Sequence, residues 1–150
     1  MMRWIPIDPI DGAEALPGMW ALIDAIGDVR DLRSVRDDQG GLKRLDVVRA
    51  LSPRWQRAGY ATLPDSYVDA QHTDTAIGVR VEAGRAHTNN DGLVAVLEAA
   101  IDPSLRALLL IVPEDYKRSS TAPKVEMRLR RLVSNERVTL DLLGVGLISY

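Results

Sequence analysis

The residues with the clearest chemical potential lie in one stretch, VRVEAGRAHTNNDGLVAVLEAA at positions 79–100. Arg80 and Glu82 stand two apart on an apolar run, so in an extended strand both side chains leave the same face. Gly78 shares that face, while Ile77, Val79, Val81 and Ala83 point the other way. The polar QHTDT at 71–75 suits a hairpin connection. A hairpin turning at 72–75 sets Asp65 opposite Glu82, with Asp69 on the same face nearer the turn; a slip of one residue would reverse the facing. Clustered carboxylates repel one another, and a cleft tolerates them when a cation joins them. Such oxygen ligands suit a hard ion like Mg²⁺, which would polarise a phosphodiester and help generate hydroxide. Asp65, Asp69 and Glu82 are therefore candidate metal ligands and catalytic groups. The competing reading is a set of solvent-facing acids on an edge hairpin.

Groups suited to phosphate surround this stretch. Arg85 can clamp a phosphate oxygen. Asn89 and Asn90 precede a helix, where amide donors attract anions or simply cap the helix. Lys124, Arg128 and Arg131 recur at i, i+4 and i+7, with Lys117 and Arg118 in the loop before them. That basic stripe either tracks a phosphate backbone or is a solvated helix face. His72 and His87 lack zinc-site spacing. Trp4, Trp20 and Trp55 are scattered and read as packing residues. No phosphate-cradling glycine loop and no nucleophile elbow occurs, so nucleotide hydrolases and serine esterases are not supported.

These residues need a scaffold. Leu42, Leu45, Val48 and Leu51 fall at helical spacing, extended by Trp55. Ser52-Pro53 inside the run predicts a kink or restart, with Ser52 as the cap, and Gly59 a stop. SYVDAQ and AIGVRVEA read as strands. Leu93, Val96, Leu97, Ala100 and Ile101 form one face of a helix that ends at Asp102-Pro103. LRALLLIV is nearly all apolar, as a strand buried on both faces should be. Thr121 and Pro123 open a further helix with Val125, Leu129, Leu132 and Val133 inward. VTLDLL and GVGLISY close the chain as one bent strand or two short ones. A hairpin followed by crossover helices predicts an α/β fold, a three-layer mixed sheet flanked by helices.

Residues 1–40 are the least interpretable, broken by Pro6, Pro9, Gly12, Pro17 and Gly18. A short helix is predicted from about Met19 to Ile26, and the alternating charges of GDVRDLRSVRDDQGG predict a solvated arm or loop. The expected organisation is an arm over 1–40 and a single domain over 41–150. At 150 residues and 46% apolar composition, one such domain can bury its own core. Phenylalanine is absent, so that core must be built from Leu, Val, Ile and Ala. No run approaches the roughly 18 apolar residues of a membrane span. The start lacks the pattern of a secretory signal, and there is no cysteine for disulfides or thiolate metal sites. A cytoplasmic protein is expected. The formal charge of −2 argues against a generally basic nucleic-acid binder, while leaving room for a local basic surface.

The stretch also resembles the restriction-endonuclease-like PD-(D/E)XK nuclease superfamily, whose core runs helix, strands, helix, strand. One branch carries Glu-x-Glu in place of the acid-x-Lys motif. The nearer resemblance is to small members with a VEVETGRA…NN…LL signature and a closing L-x-G-L-x-x-GY-like strand. Here these read VRVEAGRAHTNNDGLVAVL and LDLLGVGLISY, and the resemblance covers roughly residues 42–150. It implies a Mg²⁺-dependent DNA endonuclease. Glu82 matches the second acid of the Glu-x-Glu form, and Pro64-Asp65 is a literal PD dipeptide, with Asp69 competing for the same role. Arg85, and Lys117 with it, would stabilise phosphate charge, and a homodimer would cut two strands. The pattern breaks at Arg80, which stands where the first acid belongs. A guanidinium repels a metal ion and would instead pair with Glu82 or Asp65, filling the metal's place. Three outcomes follow. Asp69, Asp74 or Glu98 supplies the missing ligand; or the domain binds nucleic acid without cutting; or the scaffold alone is kept, for a protein partner.

Overall fold

A computed structural model describes residues 1–35, 43–83 and 90–150. The chain is α/β. In order, β1 is Arg3–Pro6, α1 Leu16–Ile26, α2 Arg44–Gln56, β2 Ala61–Thr62, β3 Ala70–His72 and β4 Ile77–Val81. Then come α3 Asp91–Ile101, β5 Ala107–Val112, the small hairpin β6 Asp115–Tyr116 and β7 Ser119–Ser120, α4 Ala122–Val133 and β8 Gly144–Ser149. Six strands form one mixed sheet in the order β1-β8-β5-β4-β3-β2. β4, β5 and β8 are parallel, and the outer pairings are antiparallel.

Alternation along the strands divides the core between the two faces. Val79, Val81, Leu109 and Ile111 pack with Met19, Leu22, Leu51 and Trp55 of α1 and α2. Leu108, Leu110, Val145 and Leu147 pack with Val96, Ala99, Val125 and Leu129 of α3 and α4. This is the expected three-layer arrangement, and β5 is buried along its whole length, as its unbroken apolar run requires.

Several local readings change. Residues 1–40 were expected to lie outside the domain, yet they supply β1, paired along β8, and α1, whose Met19, Leu22 and Ile26 enter the core. Within the expected arm, Val29 and Leu32 are buried too; the alternating charges hid two inward apolar positions. The proline-rich start caused the misreading, since Pro17 opens α1 and Gly27 closes it at φ 68°. VTLDLL is not a strand, and of SYVDAQ only Ala70 and Gln71 are, because Pro64-Asp65-Ser66 turns the chain.

α2 runs through Pro53 without restarting. Proline cannot donate to the Arg49 carbonyl four residues back. The Ser52 hydroxyl donates to it instead, at 3.3 Å, so Ser52 serves the helix interior rather than capping a new one. The stop is the expected one: Gly59 at φ 83° lets its N–H reach the Gln56 carbonyl and that of Tyr60 the Trp55 carbonyl. Trp55 is buried with its indole N–H on the Thr62 hydroxyl, whereas Trp20 is half exposed and does not serve the packing role expected of it.

Among the described residues, no helix is long and apolar enough to cross a membrane.

Candidate functional site

Parallel strands end on a common edge, so Glu82 after β4, Glu114 after β5 and Ser149 of β8 share one side of the sheet. Two buried carboxylates lie at or beside this edge, Asp69 at 5% and Glu82 at 3% exposure. They arrive there by different routes. Glu82 follows the last residue of β4 and is fixed through its backbone: its N–H donates to the Ile111 carbonyl at 2.8 Å, and its carbonyl accepts from the Tyr150 hydroxyl at 2.9 Å. Asp69 immediately precedes β3. Its N–H donates to the Val79 carbonyl at 2.7 Å, and its Oδ2 accepts from the Val81 N–H at 2.7 Å.

The hairpin register decides which aspartate reaches β4. Ala70 lies opposite Val79, Gln71 opposite Gly78 and His72 opposite Ile77. This is two residues away from the expected register, because the turn occupies Thr73–Ala76 rather than 72–75. A shift of two preserves the facing but removes Asp65 from its place opposite Glu82. Asp65 instead lies exposed in the turn before Ser66, and Asp69 takes the inward position. His72 helps to set this turn, its Nδ1 accepting from the N–H groups of Asp74 and Thr75 at 3.2 and 3.3 Å.

Each buried carboxylate faces an arginine. Arg80 Nε donates to Glu82 Oε1 at 2.7 Å, and its Nη1 donates to the Tyr67 carbonyl. Arg44, in the first turn of α2, donates through Nη2 to Asp69 Oδ1 and through Nε to the Val81 carbonyl at 2.9 Å. Burial pushes the Asp69 carboxyl above the usual carboxylate range, against the Val81 N–H, Arg44 and Arg80, which all pull it down. Burial likewise raises Glu82, opposed by Arg80 and Arg44 and aided by the neighbouring charge of Asp91. In both cases desolvation outweighs the ion pairs.

As arranged, this donor set does not fit Mg²⁺. Both Asp69 oxygens are engaged, and a guanidinium holds one Glu82 oxygen and repels a second cation. Among the described residues no group of three or more His, Asp or Glu is placed to hold a metal. Asp74 is exposed in the hairpin turn, and Glu98 lines a groove on α3.

The phosphate candidates separate. Arg85, His87 and Asn89 lie outside the described residues. Asn90 stands at the start of α3 with φ 59° but makes no side-chain cap; its Oδ1 accepts from Arg128 Nη1 at 2.8 Å. Lys117 and Arg118 form the exposed tip of the β6–β7 hairpin, at φ 48° and 64°, with the Lys117 ammonium 5.4 Å from the Tyr116 ring centre. Lys124 is exposed and donates to the Ser119 hydroxyl at 2.8 Å, and Arg131 is exposed further along α4.

Arg44 was not anticipated. The one signal is that a cation in the first turn of a helix opposes the helix dipole, and it does not point to Asp69, 25 residues away on another element. Tyr150, whose hydroxyl fixes the Glu82 backbone, gives no such signal.

No protein-family model, curated protein or solved structure matches this chain. The nuclease resemblance therefore rests on the residues quoted for it.

Proposed function

We propose that the chain is a restriction-endonuclease-like module that binds nucleic acid without cutting it. In this reading Arg80 and Arg44 supply, at the acids, the positive charge that a metal supplies in the superfamily it resembles. The observation that carries the reading is the Arg80 Nε–Glu82 Oε1 ion pair at 2.7 Å, formed where a metal would have to sit. The α/β architecture agrees with it. So does the arrangement of exposed Lys117, Arg118 and Lys124, which follow β5 on the edge where open α/β sheets receive ligands. Nucleic acid is favoured over a protein partner by these cations, which suit phosphate oxygens. With a formal charge of −2 for the whole chain, binding is local and steeply salt-dependent.

A second reading is the Mg²⁺-dependent DNA endonuclease itself. It is supported by the two buried carboxylates, Asp69 and Glu82, held beside neighbouring strand ends.

The test is fluorescence anisotropy with duplex DNA, single-stranded DNA and RNA, beside a cleavage assay in Mg²⁺ or Mn²⁺ using wild type and Glu82→Ala. The expected result is binding that weakens with salt and with Lys117→Glu or Lys124→Glu, and no cleavage. Cleavage abolished by Glu82→Ala overturns it in favour of the endonuclease. Binding to none of the three probes overturns it in favour of a protein partner.

A further inference from the structure

β6 and β7 form a two-stranded ribbon of their own, pairing with no strand of the main sheet among the described residues. Asp115 lies opposite Ser120 and Tyr116 opposite Ser119, which leaves Lys117 and Arg118 as a two-residue turn. Both have positive φ, at 48° and 64°. Such a turn between twisted strands suits Asn-Gly, because a side chain's Cβ crowds the backbone in the left-handed region. Two long cationic side chains stand here instead, where the turn itself disfavours them. Strain kept at an exposed tip points to a position that meets a ligand. None of the sequence motifs behind the nuclease resemblance falls within this ribbon.

The root of the ribbon is braced. The Glu114 carbonyl accepts from the N–H groups of Thr121 and Ala122 at 2.8 and 3.3 Å, and the Glu114 N–H donates to the Tyr150 carbonyl at 2.7 Å. Lys124 of α4 donates to the Ser119 hydroxyl at 2.8 Å. The tip therefore carries its cations on a fixed support.

We propose that this ribbon enters the major groove of B-form DNA, with Arg118 at the base edges and Lys117 and Lys124 at the flanking phosphates. The inference rests on the nucleic-acid reading above and names its partner as duplex DNA. Paired strands lie about 4.8 Å apart, so a ribbon with its side chains spans roughly 10 Å. That enters a groove about 12 Å wide, and not the minor groove of about 6 Å. Two rises of about 3.3 Å from Asp115 to Lys117 give about 7 Å of reach before the side chains, against a groove about 8.5 Å deep. The narrow major groove of duplex RNA does not admit it. Arginine at the tip suits the paired acceptors of guanine, and lysine acts as a point charge on phosphate. The acid of the ribbon, Asp115, is exposed at the root and repels the phosphates there.

Fluorescence anisotropy of the full chain on duplex DNA, duplex RNA and single-stranded DNA tests the proposal, with methyl green as major-groove competitor and distamycin as minor-groove competitor. Duplex DNA is expected to bind tightest, and methyl green to displace the chain where distamycin does not. Lys117→Asn combined with Arg118→Gly gives the turn its preferred residues. The pair is expected to raise the thermal midpoint by a few degrees while weakening duplex binding at least tenfold. Asp115→Asn is expected to tighten binding about threefold. Duplex binding that the paired substitution leaves unchanged, or that distamycin alone displaces, overturns the inference and leaves the nucleic-acid reading standing. A preference for RNA or for single strands does the same. A paired variant no more heat-stable than wild type overturns the strained tip, and binding not tightened by Asp115→Asn overturns the placement of the root. Binding to none of the three probes overturns the nucleic-acid reading itself, and this inference with it.

Discussion

Arg44 and Asp69 together hold both backbone polar groups of Val81. Arg44 Nε donates to the Val81 carbonyl, Asp69 Oδ2 accepts from the Val81 N–H, and the two side chains pair with each other. The start of α2 is thereby joined to the end of β4, at the sheet face on which Leu51 and Trp55 of α2 pack. Asp69→Ala removes the acceptor for a backbone N–H and leaves Arg44 without its acid. A loss of about 3 kcal/mol is expected, read as a lowered urea midpoint at unchanged slope. Asp69→Asn keeps an acceptor for the Val81 N–H and is expected to lose about half as much. Equal losses in the two variants would mean that the charge, not the backbone contact, holds the strand.

Arg80 and Glu82 give a pH-dependent prediction. Burial raises the Glu82 carboxyl above its ordinary value of 4.5. A carboxyl that binds its proton more tightly when folded adds stability below its unfolded value and loses it as pH rises through its folded value. The stability of wild type relative to Glu82→Gln should therefore fall as pH rises above about 4.5. Arg80→Met sharpens the effect, because it strips a buried carboxylate of its partner. It is expected to cost roughly 3 kcal/mol at pH 8 and clearly less at pH 4, where Glu82 takes up a proton. Adding Glu82→Gln to Arg80→Met should recover most of the loss. Urea titrations of the four proteins at both pH values decide it, and a pH-independent cost would sink the account.

Much of the scaffold was legible because period and burial agree along it. The ALLLIV part of LRALLLIV became a fully buried central strand, and Val125 and Leu129 of α4 met the sheet as their spacing requires, whereas α3 turns Ala95, Val96 and Ala99 inward and leaves Leu97 and Ile101, expected on its inner face, exposed. The acids were legible as types but not as a set. Asp65 and Asp69 share a parity, so the sequence could not choose between them; a turn beginning one residue later than expected made the choice. The pairing of Glu82 with Arg80 was readable from a spacing of two on one strand. That of Asp69 with Arg44 was not, because it joins residues 25 apart on different elements. The first 35 residues were misplaced for another reason: short elements punctuated by proline and glycine show little periodicity even when positions such as Met19, Leu22, Ile26 and Leu32 are fully buried.

The role of those first residues can be measured at Gly144. This glycine opens β8 opposite Pro6, and the Trp4 ring lies over it. An added Cβ would come within 2.4 Å of Trp4 Cζ2 and 2.9 Å of the Ile5 carbonyl oxygen. One of these neighbours is backbone paired to the strand, so the chain must shift to admit the methyl. Gly144→Ala is expected to cost about 1–3 kcal/mol by overpacking. Trp4→Ala in the same chain should relieve part of it, leaving the Ile5 contact. Thermal unfolding of both variants checks this. A neutral Gly144→Ala would mean that β1 is held to β8 too loosely to count as part of the sheet.

The arginine at position 80 is the decisive variable for metal chemistry. Its guanidinium occupies one Glu82 oxygen and repels any further cation. Arg80→Glu reverses that charge and recreates the Glu-x-Glu spacing beside Asp69, placing a third carboxylate with two that are already buried. Those acids would then repel one another unless a cation joins them. The variant is therefore expected to be less stable than wild type without metal, and to be stabilised by millimolar Mg²⁺ or Mn²⁺ but not by equal ionic strength of Na⁺. Wild type should show no such selective stabilisation. Isothermal calorimetry adds a direct reading: heat of Mn²⁺ binding to Arg80→Glu, and none when Asp69→Asn is combined with it. If wild type binds the divalent ion as well as Arg80→Glu does, the arginine does not stand in for the metal, and the endonuclease reading takes precedence.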